Sequence, residues 1–193
     1  MSKFILASQS PRRRELFAML DLPFEILVSD TEEVITSSEP AEVTEELSRQ
    51  KAEAVAGKVD KGIIIGADTV VSVEEKILGK PADRDEAFQM IQSLQGRSHM
   101  VYTGVTILVK ENGKRESKTF SVGTKVHVAV MGGEEIRAYI STEEPYDKAG
   151  GYGIQGIFGK YIEGIEGDYF NVVGLPVHRL YEELNKMKEG GLL

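Results

Sequence analysis

Apolar residues come along this chain in two rhythms: short continuous blocks of the kind a buried strand uses, and spaced stripes of the kind a helix buries. Lys3 to Ala7 predicts a short first strand, and Ser8 to Ser10 a polar turn. Ser10-Pro11 is a helix start, a hydroxyl able to cap the first free N–H groups followed by a ring already set at helical φ. Asp21-Leu22-Pro23 stops that helix, Phe24 to Val28 predicts a second strand, and Ser29 to Glu39 is an acidic, polar loop. Pro40 to about Ala56 predicts a helix with Val43, Leu47, Ala54 and Val55 inward. The isoleucine run bounded by Gly62 and Gly66 predicts a buried strand, resumed by Val70 to Val73.

Further along, Glu74-Glu75-Lys76 is a turn, and Ile77 to Pro81 returns with Lys80 held extended by the proline after it. Asp83 and Glu86 form a capping box that opens a helix with Ala87, Met90, Ile91 and Leu94 inward and Gly96 as its stop. Met100 to Lys110 and Thr119 to Val130 are long strands joined around Asn112-Gly113, a hairpin signal. A short helix is predicted over Glu134 to Ser141 and a strand over Ile157 to Ile165. Asn171 to Gly174 then leads through Pro176 into an amphipathic helix, Val177 to Met187. No repeat or low-complexity linker divides the chain.

Three stretches stand out against this frame. Two or three arginines follow Ser10-Pro11, where the helix dipole is positive and cations are unfavourable. Free N–H groups, the hydroxyls of Ser8 and Ser10, and the guanidinium groups together suit a phosphate. Arginines in a first turn alone would read as a solvated surface; the whole combination points to an anion. Asp68 is the second, a carboxylate interrupting an apolar strand, costly there unless paired or bound to a metal. The third is Tyr146 to Gly156, with four glycines in the seven residues from Gly150, permitting close backbone approach to a ligand or serving only tight turns. It is not a Walker loop, because no Gly-x4-Gly-Lys-Ser/Thr occurs. Lys51 lies four residues from both Leu47 and Val55, so it points toward the inward stripe; on position alone it reads as a lysine snorkelling from the stripe's edge.

Composition narrows the class. A chain of 193 residues holds one sizeable domain, or two lobes sharing a core. Its 41% apolar and 28% charged residues are ordinary for a soluble globular protein. A formal charge of −8 argues against bulk attraction to nucleic acid or anionic lipid, so the arginine cluster is a local feature. With no cysteine there is neither a disulfide framework nor a thiolate, which suits a reducing cytoplasm. No apolar run approaches the ~20 residues of a membrane span, and no signal-peptide pattern is seen. A soluble, cytoplasmic protein is the expectation.

The segments LASQSPRRREL, GADTVV, GKPADRDEA, YDKAGGYGIQG and GDYFNVVGLP, in this order, resemble the Maf family of nucleoside triphosphate pyrophosphatases over nearly the whole chain. The resemblance implies one α/β domain over residues 1–193, elongated, with a twisted mixed sheet split into two lobes around a central cleft, as in the inosine triphosphatase architecture. It implies Asp68 as the catalytic aspartate, Ser8, Arg12, Arg13, Lys51 and Lys80 as phosphate ligands, and Glu33 as an acidic cleft residue; it thereby promotes Lys51 from the stripe's edge. Arg12, Thr69 and Gln155 match the branch acting on dTTP and UTP, while Arg14 falls at an unrestrictive position and reads as solvated. The implied reaction is water attack on the α-phosphorus with release of pyrophosphate, helped by a divalent cation, Mg²⁺ or Mn²⁺, held by Asp68 and Glu33. Whether Asp68 is base or only ligand stays open at this point. The partners expected are small-molecule nucleoside triphosphates, with no stable nucleic-acid or membrane binding; a homodimer is left open. A non-catalytic nucleotide-binding regulator of septum formation is the alternative.

Overall fold

The isoleucine run and the valines after it form one unbroken strand, β3 (Gly62–Val73), in a computed structural model that describes residues 3–28, 32–111 and 113–193. Asp68 therefore does not interrupt the strand: its backbone pairs opposite Gly104, and only its side chain departs from the apolar pattern. With β1 (Phe4–Ala7), β2 (Phe24–Ile26), β4 (Lys76–Leu78), β5 (Ser98–Glu111), β6 (Lys114–Val128) and β7 (Ile162–Glu166), it builds a mixed seven-stranded sheet in the order β2-β1-β3-β5-β6-β7, with β4 beside β3. β1 runs parallel to both β2 and β3, and the remaining pairings are antiparallel. The helices are α1 (Pro11–Ala18), α2 (Pro40–Ala56), α3 (Arg84–Leu94), α4 (Gly133–Ile140), α5 (Tyr169–Val173) and α6 (Val177–Glu189).

Alternation along β3 divides the core. Ile64 and Val70 face α2, packing with Ala52 and Val55 and with Val43 and Leu47 respectively. On the opposite face, Ile63, Ile65 and Ala67 join Leu16 and Phe17 of α1 and Leu180 and Leu184 of α6. Val71 and Val73 instead join Ile91 and Leu94 of α3 and Ile136 and Ile140 of α4. Two apolar clusters thus share one face of the sheet, and Thr69 lies at their border.

α2 lies unusually close to the sheet because two glycines make room. A Cβ on Gly66 would run into the carbonyl oxygen of Ser48, and one on Gly104 into that of Thr44. The helix answers with small residues whose hydroxyls are satisfied: Ser48 Oγ lies 2.9 Å from Thr106 Oγ1 and Thr44 Oγ1 3.1 Å from Ser121 Oγ. Lys110 closes the far end by donating to Ala56 O at 2.9 Å and Val59 O at 2.7 Å, a cation at a helix C-terminus.

Several boundaries differ from the sequence reading. The second strand stops at Ile26. The hairpin strands are longer at its turn, since Glu111 pairs with Lys114 although Lys114 to Lys118 are polar and exposed; Asn112 lies outside the described residues, as do 29–31 of the acidic loop. Ile157 to Tyr161 is a 3-10 turn, not a strand, because the Gly159 N–H folds back onto Gly156 O at 3.0 Å and extended structure begins only at Ile162. In α2, Ala52 is buried and Ala54 only partly so. In the capping box at α3, Asp83 accepts from Glu86 N at 2.8 Å, but Glu86 reaches back to Ala82 N at 2.7 Å. No helix among the described residues is long and apolar enough to cross a membrane.

Candidate active site

β5 accompanies β3 along nearly its whole length, but the other side of β3 is shared by β1, paired up to Gly66, and β4, paired from Val71. Between them, residues 67–70 have no strand neighbour on that side, and there a cleft of about 1000 Å³ opens. Ser8, Arg12, Arg13, Glu33, Lys51, Asp68, Thr69, Lys80 and Gln155 all line it, although they come from six separate parts of the chain.

Asp68 points to the α2 side of the sheet, where Lys51 meets it. The Lys51 ammonium contacts Asp68 Oδ1 and lies 3.0 Å from Glu33 Oε1. Glu33 reaches this point because its loop is strapped to α2: Val34 N–H donates to Gln50 Oε1 at 2.9 Å, and Thr36 N–H to Glu46 Oε2 at 2.9 Å. Lys51 thus does not snorkel to solvent; its head lies between two carboxylates.

Arg13 is held differently. Its Nε–H donates to Gly174 O at 2.9 Å, Nη2 to Thr69 Oγ1 at 2.9 Å and Nη1 to Ser8 Oγ at 3.4 Å. All three acceptors are neutral. Burial lowers the guanidinium's pKa from its ordinary value, while the negative charges of Asp68 and Glu33 raise it and Arg12 lowers it further; an arginine stays charged in any case. This partly buried cation thus has no carboxylate among its hydrogen-bond partners. Ser10 caps α1 by accepting from Arg13 N at 3.4 Å, so its hydroxyl is occupied in fixing the helix start.

The Thr69 hydroxyl is fully directed. Thr103 spends its one proton on Asn171 O at 2.9 Å, so across their 2.9 Å contact Thr69 must donate to Thr103, which leaves Thr69 only lone pairs for Arg13. Arg12, in the same helix turn, faces Asp147 at 3.8 Å. Burial opposes ionisation of Asp147, but Lys148 and Arg12 outweigh it and hold its pKa below the ordinary carboxylate value. Lys80 makes no ion pair among the described residues, and its segment is tied to the glycine-rich loop by Gly150 N–H donating to Gly79 O at 2.9 Å. Gly150 has φ 70° and no room for a Cβ, which would lie 2.9 Å from the Val71 side chain, so glycine is required there.

The carboxylates of Asp68 and Glu33 already converge on one cation, the Lys51 ammonium, and are hard oxygen donors. Among the described residues no group of three or more His, Cys, Asp or Glu forms a cage. Two carboxylates with the remaining positions left to water and phosphate oxygens is a donor set that fits Mg²⁺ or Mn²⁺.

Glu144 also lines the cleft and lies just outside the Tyr146 to Gly156 stretch that the sequence singles out; Asp147 and Lys148, inside that stretch, line it too, although no role was read for either. For Glu144 the signal in the sequence was the density of charge beside the glycine-rich stretch.

Residues 3–187 match the family described as Maf-like protein. A dTTP/UTP pyrophosphatase of Carboxydothermus hydrogenoformans is 52% identical over 184 residues, covering 95% of this chain and 98% of the relative. One of Bacillus cytotoxicus is 48% identical over 191 residues, covering 98% of each. Among solved structures, the Staphylococcus aureus Ham1 protein is similar with a TM-score of 0.47 and 18% identity, over 66% of this chain and 72% of that one.

Proposed function

This chain belongs to the Maf family, and on that premise we propose that it hydrolyses dTTP and UTP to the monophosphate and pyrophosphate. The observation that carries the reading is Arg13, a cation held on neutral oxygens at the floor of a cleft that Arg12, Lys51 and Lys80 also line. A triphosphate tail brings up to four negative charges, and this is where they would be neutralised.

Asp68 and Glu33 would hold the divalent cation, which when bound neutralises phosphate charge and makes the α-phosphorus more electrophilic. Lys51 exchanges its carboxylate partners for a phosphate oxygen as substrate arrives. Asp68 has one oxygen engaged by Lys51 and no hydrogen bond to the other among the described residues, so it keeps a basic oxygen for the attacking water. Asp68 takes that water's proton; the water oxygen bonds to the α-phosphorus, the α–β bridging P–O bond breaks, and pyrophosphate leaves.

Gln155 is exposed to the cleft from the glycine-rich loop. Its amide pairs one acceptor with the N3–H of uracil or thymine and one donor with a neighbouring carbonyl. Along the N3–C4 edge cytosine reverses both polarities, while its C2 carbonyl is unchanged, so the amide selects only while its orientation is fixed. The protein is read as a single domain whose two lobes share one sheet, working in the cytoplasm. Incubation with dTTP and Mg²⁺ followed by separate assays for pyrophosphate and orthophosphate tests the reaction. Orthophosphate with a diphosphate product, or no turnover of any triphosphate, overturns it; the latter would leave a nucleotide-binding regulator.

A further inference from the structure

Gln155 makes no hydrogen bond of its own among the described residues, so the backbone beneath it, which aims its Cα–Cβ bond, decides where in the cleft its amide reaches. That backbone is a turn closed by Gly156 N–H donating to Gly153 O at 3.0 Å. Beyond the turn, the chain is held by one carboxylate. Glu144 Oε2 accepts from Ile157 N at 2.7 Å, and Oε1 accepts from Phe158 N at 3.3 Å. The carboxylate lies so close under Gly156 that a Cβ there would collide with it. The buried Tyr139 hydroxyl lies 3.1 Å from both Glu144 Oε1 and Gly151 O, so its single proton is shared between the carboxylate that holds the end of the loop and the carbonyl at its start. Burial and the negative charge of Glu144 raise the pKa of Tyr139, which keeps its proton available for these acceptors.

We propose that Glu144, locked by Tyr139, is a positioning residue for base selection: it fixes the turn at Gly156 and thereby the direction of the Gln155 amide. The inference rests on the reading of the cleft as a pyrimidine triphosphate site. Gly156 lacks a side chain to restrict its own dihedrals, so the turn has a soft joint next to the reading residue. The carboxylate takes up that freedom by holding the next two N–H groups. Losing it need not empty the cleft of phosphate ligands, none of which touches Glu144. What is lost is the fixed placement of the amide against the edge of the base, on which discrimination against cytosine depends.

The test is kcat/KM for dTTP and dCTP, read as pyrophosphate release, in the parent, Glu144→Gln, Tyr139→Phe, Gln155→Ala and the double variant Glu144→Gln/Gln155→Ala. Gln at 144 keeps size but offers one acceptor instead of two, and Phe at 139 keeps the ring packing. The dTTP-to-dCTP ratio is expected to fall about fivefold or more in Glu144→Gln, the lower end of leaving one polar group unpaired, and in the same direction in Tyr139→Phe. In the double variant the ratio equals that of Gln155→Ala alone, because an absent amide cannot be misdirected. Thermal melts check folding, and if Glu144→Gln melts early, Tyr139→Phe carries the comparison. Unchanged ratios in folded variants, additive losses in the double variant, or a Gln155→Ala ratio equal to the parent's overturns the inference. A parent that turns over neither nucleotide overturns the functional reading itself and this inference with it.

Discussion

Thr69 accepts a 2.9 Å hydrogen bond from Nη2 of Arg13 and has no proton left for anything else. The position that the family resemblance ties to substrate choice is therefore built into the support of the arginine proposed as a phosphate ligand. Thr69→Val keeps the shape and leaves a guanidinium donor unpaired. An unsatisfied donor of this kind costs about 1–3 kcal/mol, so kcat/KM for dTTP is expected to fall roughly 5- to 150-fold. Steady-state kinetics check it; an unchanged kcat/KM shows that Arg13 does not need this contact.

Asp68→Asn removes the charge and the basic oxygen while keeping the shape. Turnover of dTTP should fall at least ~100-fold, the scale of a positioned acid–base group, with the thermal melt showing a folded protein. Near-parental turnover in a folded variant places the reaction centre elsewhere.

Lys51→Met keeps the aliphatic stem and deletes the ammonium that meets Asp68 and Glu33. A charge-assisted bond to phosphate is worth ~1.5–3 kcal/mol, so kcat/KM should drop about 10- to 150-fold. If triphosphate binding by calorimetry and turnover both stay at the parental level, Lys51 serves only to neutralise the two carboxylates.

His99 is buried against Tyr152, with Nε2 2.6 Å from the tyrosine oxygen, and burial, helped by His127, lowers its pKa from 6.5 to about 4. The unfolded chain therefore binds more protons than the folded one between about pH 6.5 and pH 4. Stability is full above that window and falls as pH drops through it, by roughly 3 kcal/mol at most. Urea midpoints at pH 7 and pH 5 should differ less in His99→Gln than in the parent; equal differences would mean that other groups carry the acid sensitivity.

Glu74 and Glu75 form the two-residue turn between β3 and β4 with φ of 48° and 65°. Left-handed backbone costs a residue with a Cβ ~1–2 kcal/mol, partly offset by glycine's greater freedom when unfolded. Glu75→Gly should therefore raise stability by about 0.5–1 kcal/mol, read from urea unfolding. Glu74 is kept because it pairs with Arg97 at 2.6 Å. A less stable variant would show that the turn gains more from the Glu75 side chain than it loses in strain.

Local pattern carried the sequence reading as far as local forces act. Pro11 after Ser10, Asp83 before α3 and the isoleucines of β3 announce their elements through capping, fixed φ and burial. Asp68 was visible because a charge in an apolar strand has few explanations. The pairing of Lys51 was not, since its partner Glu33 sits in a loop whose attachment to α2 depends on Gln50 and Glu46, residues that look like ordinary solvated helix positions. Glu144 was hidden for a related reason: its partners are backbone N–H groups 13 and 14 positions away, and backbone acceptors and donors leave no mark in composition. The strand expected at Ile157 failed because the same carboxylate bends the chain there.

Arg13 donates to the carbonyl of Gly174, 161 positions later in the chain. During synthesis the arginine emerges early and stays hydrated while most of the protein is still unmade. Its acceptors Thr69 and Gly174 arrive at widely separated times, and closing so long a segment is slow compared with forming α1 or the β5–β6 hairpin. A nascent chain stopped short of Gly174 can therefore hold much of the sheet yet lack a finished cleft. Onset of triphosphate binding during translation should coincide with completion of nearly the whole domain.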